Sequence, residues 1–109
     1  MSHEKYQSCI EACEKCAEAC EHCATACLRE ADVKMMAECI RLDRDCADAC
    51  WLASAWMSRD SAFAKQLCAL CAAICDACAE ECERHQAEHC RLCAAACRRC
   101  AVECRRMAA

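Results

Sequence analysis

The sequence contains neither glycine nor proline among its 109 residues. Tight turns, strand bulges and β-hairpins usually require one of the two, because glycine supplies left-handed backbone angles and proline fixes the chain in a turn. The absence of both favours helices that are joined by short polar turns. The length is enough for one domain and too short for two of ordinary size. We therefore expect a single domain over residues 1–109.

Large apolar side chains are also scarce. The sequence has six Leu, three Ile, two Val, two Trp, one Phe and one Tyr. A domain of this size normally buries more aliphatic area than these supply, at about 25 cal/mol per Å². Nineteen Cys and many Ala make up the hydrophobic fraction instead. Because free Cys packs as a small hydrophobe, we expect a core that is built largely from cysteine.

Signals for export, membrane insertion and nucleic-acid binding are missing as well. The start, MSHEKYQSCIEAC, is polar and acidic, whereas a secretory signal needs an apolar run. No stretch approaches the roughly 20 apolar residues of a membrane span. A net charge of −4 argues against a nucleic-acid partner. Disulfide-rich domains are typically secreted and loop-rich, so we expect reduced thiols and a cytoplasmic location.

What the sequence does have is cysteine at a helical period. Between Cys9 and Cys27 it reads CIEACEKCAEACEHCATAC, with steps of four, three, four, three and four. These are the a and d positions of a heptad, where a bundle normally places Leu or Ile. The rhythm returns three times, which predicts helices over roughly 2–29, 32–58, 61–85 and 87–107. Short links between them favour an all-α, antiparallel up-down-up-down four-helix bundle with a Cys-lined core.

The cysteines also form pairs that suit a soft metal. Residues i and i+4 share one face of a helix, about 6 Å apart. Eight such pairs occur: 9/13, 16/20, 23/27, 46/50, 71/75, 78/82, 93/97 and 100/104. Only Cys39, Cys68 and Cys90 lack a partner. Thiolate ligands select Cu(I), zinc or Fe–S species.

Charge distinguishes between these metals. Nineteen thiolates with nineteen Cu(I) ions form a neutral core, whereas each zinc ion with four thiolates leaves two buried negative charges, which are costly. Fe–S clusters usually occupy loop motifs that are absent here. We predict multiple Cu(I) ions, roughly one per Cys. A zinc or general soft-metal buffer and an Fe–S electron carrier remain as alternatives. The sequence shows no nucleophile–base pair, so we do not expect an enzyme.

The predicted topology gives the bundle two different ends. One end gathers Cys27, Met36, Cys82, His85, His89 and Cys90, with Asp43 a turn or two deeper. The other gathers an apolar plug of Tyr6, Trp56, Phe63 and Leu67. Our hypothesis is that copper enters at the His/Met end and moves inward by ligand exchange. His85 follows Cys82 on the seam and is expected to be a ligand, His89 lies one position off the seam, and Met57 and Met107 are expected to be core residues.

The Cys-x-x-x-Cys pairs on all four predicted helices and the segment CIRLDRDCADAC (Cys39–Cys50) resemble the copper storage proteins. The polar start without a signal peptide resembles their cytosolic branch and not the exported one. The resemblance covers essentially the whole chain. It implies a bundle that stores many Cu(I) ions, mostly through pairs of thiolates, and that assembles as a homotetramer. A protein that delivers or receives copper is a further partner to expect. The resemblance also implies these metal ligands: Cys9, Cys13, Cys16, Cys20, Cys23, Cys27, Cys39, Cys46, Cys50, Cys68, Cys71, Cys75, Cys78, Cys82, Cys90, Cys93, Cys97, Cys100, Cys104, Met36, Asp43 and His85.

Overall fold

The fold consists of four long helices and two short helical segments. A computed structural model describes residues 2–109, and of Ser2 and His3 it describes the backbone alone. The described part contains no β-strand, which confirms the all-α prediction. Its elements are α1 (Ser2–Lys5), α2 (Gln7–Leu28), a 3-10 helix (Val33–Met36), α3 (Ala37–Ser58), α4 (Ala64–Cys82) and α5 (Glu88–Ala108).

The long helices α2 to α5 surround one elongated core. Helix α2 packs against α3 and α5, and α4 packs against the same two helices, so each helix touches its two neighbours around the bundle. Because consecutive helices are adjacent and their links are short, they run antiparallel, as the sequence predicts. The described chain measures 47 × 19 × 18 Å. None of its helices is both long and apolar enough to cross a membrane.

The core is built from sulfur and small side chains. All nineteen cysteines are buried as free thiols. Alanines such as Ala17, Ala47, Ala72 and Ala79 lie beside them and are almost completely buried. A methyl side chain lets two helix backbones approach closely, so the thiols of all four seams meet along the bundle axis.

The first two helices differ from the prediction at their N-terminal ends. The segment predicted as one helix is interrupted at the buried Tyr6, whose backbone angles leave the helical region. The sequence also predicts that the Ser2 side chain caps the first helix, and this prediction lies outside the described residues. The next helix was expected from Asp32, but a 3-10 turn precedes α3, and the carbonyl of Asp32 accepts the N–H of Met35. That bond tightens the first turn, and the Asp32 side chain makes no cap hydrogen bond.

Helix α4 is shorter than predicted at both ends. It begins at Ala64 because Asp60 adopts a left-handed conformation (φ 54°) and the N–H of Ser61 bonds back to the carbonyl of Trp56. It ends at Cys82, and in the turn that follows the N–H groups of Arg84 and His85 bond three residues back, to the carbonyls of Glu81 and Cys82. His85 therefore lies in a tightened turn after the helix and is not the next position of the cysteine seam.

Candidate metal centre

The thiols form one continuous column along the bundle, and many of its closest contacts join different helices. The Sγ–Sγ distance is 3.5 Å between Cys20 of α2 and Cys93 of α5. It is 3.6 Å between Cys16 and Cys97 of the same two helices. Contacts inside a helix, such as the 3.9 Å between Cys23 and Cys27, are of similar length. Ligands from all four helices can thus converge on the same ions.

Sets of four thiols recur along this column and share members. In each set the four sulfurs lie within 4.8 Å of one another; examples are Cys16/Cys46/Cys50/Cys75, Cys16/Cys20/Cys46/Cys97 and Cys20/Cys78/Cys93/Cys97. Because Cys16, Cys20, Cys46 and Cys97 each belong to two of these sets, the sets cannot all act as separate four-thiolate cages. The arrangement suits ions that share bridging thiolates.

An imidazole joins the thiols at one end of the column, which we call the mouth (Cys23, Cys27, Cys82, His89 and Cys90). The Nδ1 atom of His89 lies 3.4 Å from the sulfur of Cys23, 3.6 Å from that of Cys90 and 4.0 Å from that of Cys27. The side chain is 14% exposed. One nitrogen of this ring therefore meets thiols, while a small part of the side chain remains exposed to solvent.

The two other donors predicted near the mouth make different contacts. The Nε2 atom of His85 lies 2.9 Å from Oε2 of Glu81, and the other oxygen of Glu81 pairs with Arg84. Met36 is buried and packs against the core at the start of α3. Of the two imidazoles, His89 is the one whose nitrogen lies against thiols, because the tightened turn after Cys82 carries His85 toward Glu81.

Asp43 is fully buried among thiols and contacts Cys82 of the mouth. Its Oδ1 atom accepts hydrogen bonds from Cys78 at 3.2 Å, Cys93 at 3.3 Å and Cys82 at 3.6 Å, and its Oδ2 accepts one from Cys39 at 3.8 Å. The carboxyl group thus touches both outer and deeper thiols. Burial, and next the negative charge of neighbouring thiolates, raises its pKa from 3.8 to about 8.

The thiols at the mouth hold their protons more tightly than a free cysteine. Burial raises the pKa of Cys90 to about 12, and the nearby Cys39 acts in the same direction. Burial also raises the pKa of Cys27, with further contributions from Cys39 and Cys90. In the absence of a cation these groups stay protonated at neutral pH, so a metal ion that binds them must displace protons.

The opposite end is closed by apolar side chains, as the sequence predicts. Tyr6 and Leu67 are buried there, and the rings of Trp56 and Phe63 pack at a centroid distance of 6.3 Å. Phe63 itself is largely exposed on the outside. We call this region the closed end (Tyr6, Trp56, Phe63 and Leu67). The column therefore has a polar mouth and an apolar base.

The sequence did not predict His89 as a metal ligand, and the reason lies in the geometry of the helix start. Counting from Cys90 along the heptad places His89 beside the seam, on the flank of an ideal helix. The structure places it in the first turn of α5, two residues after the extended Ala87. From there the ring reaches across to Cys23 and Cys27 of α2. The sequence feature that could have identified His89 as a ligand is its position next to a cysteine at a predicted helix start.

The whole described chain matches a family of known proteins. The family model described as "Copper storage protein" matches residues 2–109. The chain is 54% identical over 87 residues to the uncharacterized cysteine-rich protein YhjQ of Bacillus subtilis (strain 168), a match that covers 79% of this chain and 81% of that protein.

Several solved structures share the fold. One is the Cu(I)-bound copper storage protein BsCsp3, with a TM-score of 0.91, 52% identity and full coverage of both chains. Another is a cytosolic copper storage protein from Streptomyces lividans with five coppers. Its TM-score is 0.93 and its identity 42%, over 98% of this chain and 94% of the other.

Proposed function

The chain belongs to the copper storage protein family, and from that premise we propose that it stores many Cu(I) ions on the thiolates inside its bundle. The storage capacity that we propose is about one ion per cysteine, or about nineteen per chain. The single observation that carries this proposal is the continuous column of free, buried thiols.

The physical argument is one of charge and ligand type. A thiolate and a Cu(I) ion cancel each other's charge, so the column can fill without leaving a buried net charge. Thiolates are soft ligands and prefer Cu(I) over harder cations. The overlapping sets around Cys16 and Cys46 favour ions with shared thiolates over isolated four-thiolate zinc sites, which need their own closed tetrahedron.

We propose that the ligands are the nineteen cysteines together with donors at and below the mouth. The contact of His89 with Cys23 and Cys90 makes it the first imidazole that an incoming ion would meet. We propose that Asp43 assists the next step, the inward movement of the ion by ligand exchange, since its carboxyl group contacts thiols of the mouth and thiols deeper in the column. Met36 and His85 remain predicted ligands.

The cellular setting is part of the same proposal. A cytoplasmic location is supported by the relative from Streptomyces lividans, which is described as cytosolic. A single domain over residues 1–109 is supported by the one shared core. We propose that the chain is not an enzyme, because every thiol is buried in that core. Copper would be exchanged with a donor or acceptor protein at the mouth.

Assembly into a homotetramer is also proposed. Apolar side chains on the outer faces of the bundle support it, since Leu70, Leu92 and Val102 are each more than half exposed. Contiguous exposed apolar patches mark surfaces that pack against other proteins. Analytical ultracentrifugation of the reduced protein should give about four times the mass of one chain, and a mass of 12.1 kDa would contradict the tetramer.

The decisive experiment is an anaerobic titration of the fully reduced protein with Cu(I) against a chromogenic chelator of known affinity. We expect the chelator to remain metal-free until about one equivalent of copper per cysteine has been added. A matched titration with Zn(II) should saturate at no more than about a quarter of that number. Saturation by copper at a quarter of the cysteine count, or a brown iron-containing product from cells, would overturn the proposal.

A further inference from the structure

Three cysteines lack a partner four residues away, and each of them lies against a donor that is not cysteine. The sulfur of Cys39 is 3.8 Å from Oδ2 of Asp43. That of Cys90 is 3.6 Å from Nδ1 of His89. That of Cys68 is 3.7 Å from the thioether sulfur of Met57. The first two pairs lie at or near the mouth, whereas the third lies at the far end of the column.

The Met57–Cys68 pair is completely buried. Both side chains have no exposed area. Met57 belongs to the last turn of α3 and Cys68 to the second turn of α4, so their contact bridges two helices across the short link near the closed end. The sulfur of Met57 is the atom that faces Cys68, although a methionine that only filled space could have turned its terminal methyl group there.

Further sulfur ligands lie beside this pair. The thiols of Cys104 and Cys9 are near enough to Cys68 to act on its pKa, which Cys104 lowers and Cys9 raises, and together with burial they leave that pKa raised to about 12. Cys9 and Cys104 themselves lie 3.7 Å apart. Four sulfurs from four different helices therefore meet at the base of the column, three of them thiols and one a thioether.

The geometry and charge of this group suit one Cu(I) ion. A metal–thiolate bond is about 2.3 Å long, as measured for zinc. Two sulfurs 3.7 Å apart can then share an ion only at a bent angle, which leaves space for a third sulfur. A thioether is a soft ligand that selects Cu(I) and adds no charge. It can therefore complete a site with a Cys68 thiolate without placing a second negative charge in the apolar base.

We propose that Met57 is a metal ligand, and that its thioether and the Cys68 thiolate hold the deepest Cu(I) ion of the column, with Cys9 or Cys104 as third ligand. On binding, the Cys68 thiol gives its proton to solvent, and the third cysteine is a thiolate that has likewise released its proton and is shared with the next Cu(I) ion, so that no net charge is left. One sulfur–copper bond forms at each ligand, and no electron is transferred. This inference rests on the proposed storage of Cu(I) and replaces the expectation that Met57 is only a core residue.

Selenium labelling tests the inference on the natural sequence. The protein is produced with selenomethionine, loaded anaerobically to its full copper capacity, and examined by X-ray absorption at the selenium edge. We expect a copper neighbour at bonding distance from a fraction of the selenium atoms. The same measurement is made on Met57→Leu, which removes the methionine near the closed end, and on Met36→Leu, which removes the one predicted near the mouth. Leucine has a similar volume, the kind of exchange that cores tolerate best.

The copper–selenium signal should survive in Met36→Leu. In Met57→Leu it should be lost, or, if Met36 also binds copper, fall to the part that Met36 contributes. A crystal of each loaded protein, measured at the copper edge, should show the peak beside Cys68 lost in Met57→Leu and the peaks around Cys46 unchanged. A signal that Met57→Leu leaves at full strength, or its absence from the loaded natural sequence, would overturn the ligand role of Met57.

Failure of the storage proposal has a different signature. The copper content of each sample is measured before the absorption experiment. If the natural sequence takes up about nineteen ions per chain and shows no copper–selenium contact, the Met57 inference alone is wrong. If it takes up only a quarter of that number, both the storage proposal and the inference are wrong.

Discussion

The Nε2 atom of His89 lies 2.7 Å from Oε2 of Glu30, while the Nδ1 atom of the same ring lies 3.4 Å from the sulfur of Cys23. A carboxylate that accepts a hydrogen bond from Nε2–H keeps the ring proton on Nε2 and leaves the lone pair on Nδ1, which is the atom that faces the thiols. Glu30 thus holds the ring in the orientation in which it can pass a metal ion to Cys23, as partners of metal-binding histidines commonly do.

Replacement of Glu30 should therefore weaken capture at the mouth. We expect Glu30→Ala to lower the affinity for the first copper ion by about tenfold, the usual scale for such partners. Glu30→Gln keeps an oxygen acceptor and should restore most of the loss. Stopped-flow transfer of Cu(I) from a coloured chelator measures the effect, with Glu18→Ala, on α2, as control. Equal uptake by Glu30→Ala and the unchanged protein would contradict the positioning role.

Substitutions can distinguish the contributions of the two histidines near the mouth to copper uptake. We expect His89→Ala to slow copper uptake several-fold, because its Nδ1 atom is within 3.6 Å of two thiols. Replacing His85 and Met36 together, by Ala and Leu, should slow uptake as well and leave the total capacity nearly intact. Rapid-mixing kinetics and final copper content are measured on the same samples. If neither change alters the rate, copper does not enter at this end.

The buried carboxyl group of Asp43 predicts how the stability of the metal-free protein depends on pH. Its pKa is raised from 3.8 to about 8, so between these values the folded chain retains a proton that the unfolded chain has lost. The free energy of unfolding then falls as pH rises, by roughly 1.4 kcal/mol per unit from this group. The stabilising effect is complete below about pH 4 and lost above about pH 8.

Urea unfolding of the reduced protein at pH 5, 6 and 7 measures this slope. Asp43→Asn cannot ionise and should flatten the dependence over that range, whereas Asp45→Asn, on the exposed side of the same helix, should leave it unchanged. A stability that rises with pH in the natural sequence, or an equal slope in Asp43→Asn, would show that the carboxyl group is ionised in the folded state.

Copper loading should release protons from the column. Burial raises the pKa of Cys27 and Cys90, the latter to about 12, so these thiols are protonated at neutral pH before copper arrives. Because copper binds the thiolate, we expect close to one proton per ion at the mouth in a weakly buffered solution followed with a pH electrode. A titration that releases no protons during the first equivalents would mean that the thiols were already ionised.

Loading should also make the fold more stable, because copper binds the folded column far better than the unfolded chain. A ligand present at a thousand times its dissociation constant adds about 4 kcal/mol per independent site. We expect a large rise in the unfolding temperature, reversed when a strong Cu(I) chelator removes the metal. Zinc at the same concentration serves as control and should give a smaller rise. An unfolding temperature that copper leaves unchanged would contradict binding in the core.

The period of the cysteines was sufficient to predict four helices, an antiparallel bundle and a core of sulfur, since a seam at steps of three and four has one buried face. It also placed Cys27 and Cys90 at one end and Trp56 and Phe63 at the other. These are consequences of helix geometry and chain order, which can be read from a sequence. The prediction that Cu(I) is the bound metal followed from the chemistry and charge of thiolates.

Only the tertiary structure decided which donors meet across helices. The contacts of Cys20 with Cys93, of Asp43 with Cys78 and of Met57 with Cys68 depend on how far each helix is shifted and rotated against its neighbour. That register is set by packing over the whole bundle. For the same reason the turn after Cys82, tightened by backbone hydrogen bonds, carried His85 to Glu81 and left His89 as the imidazole at the thiols.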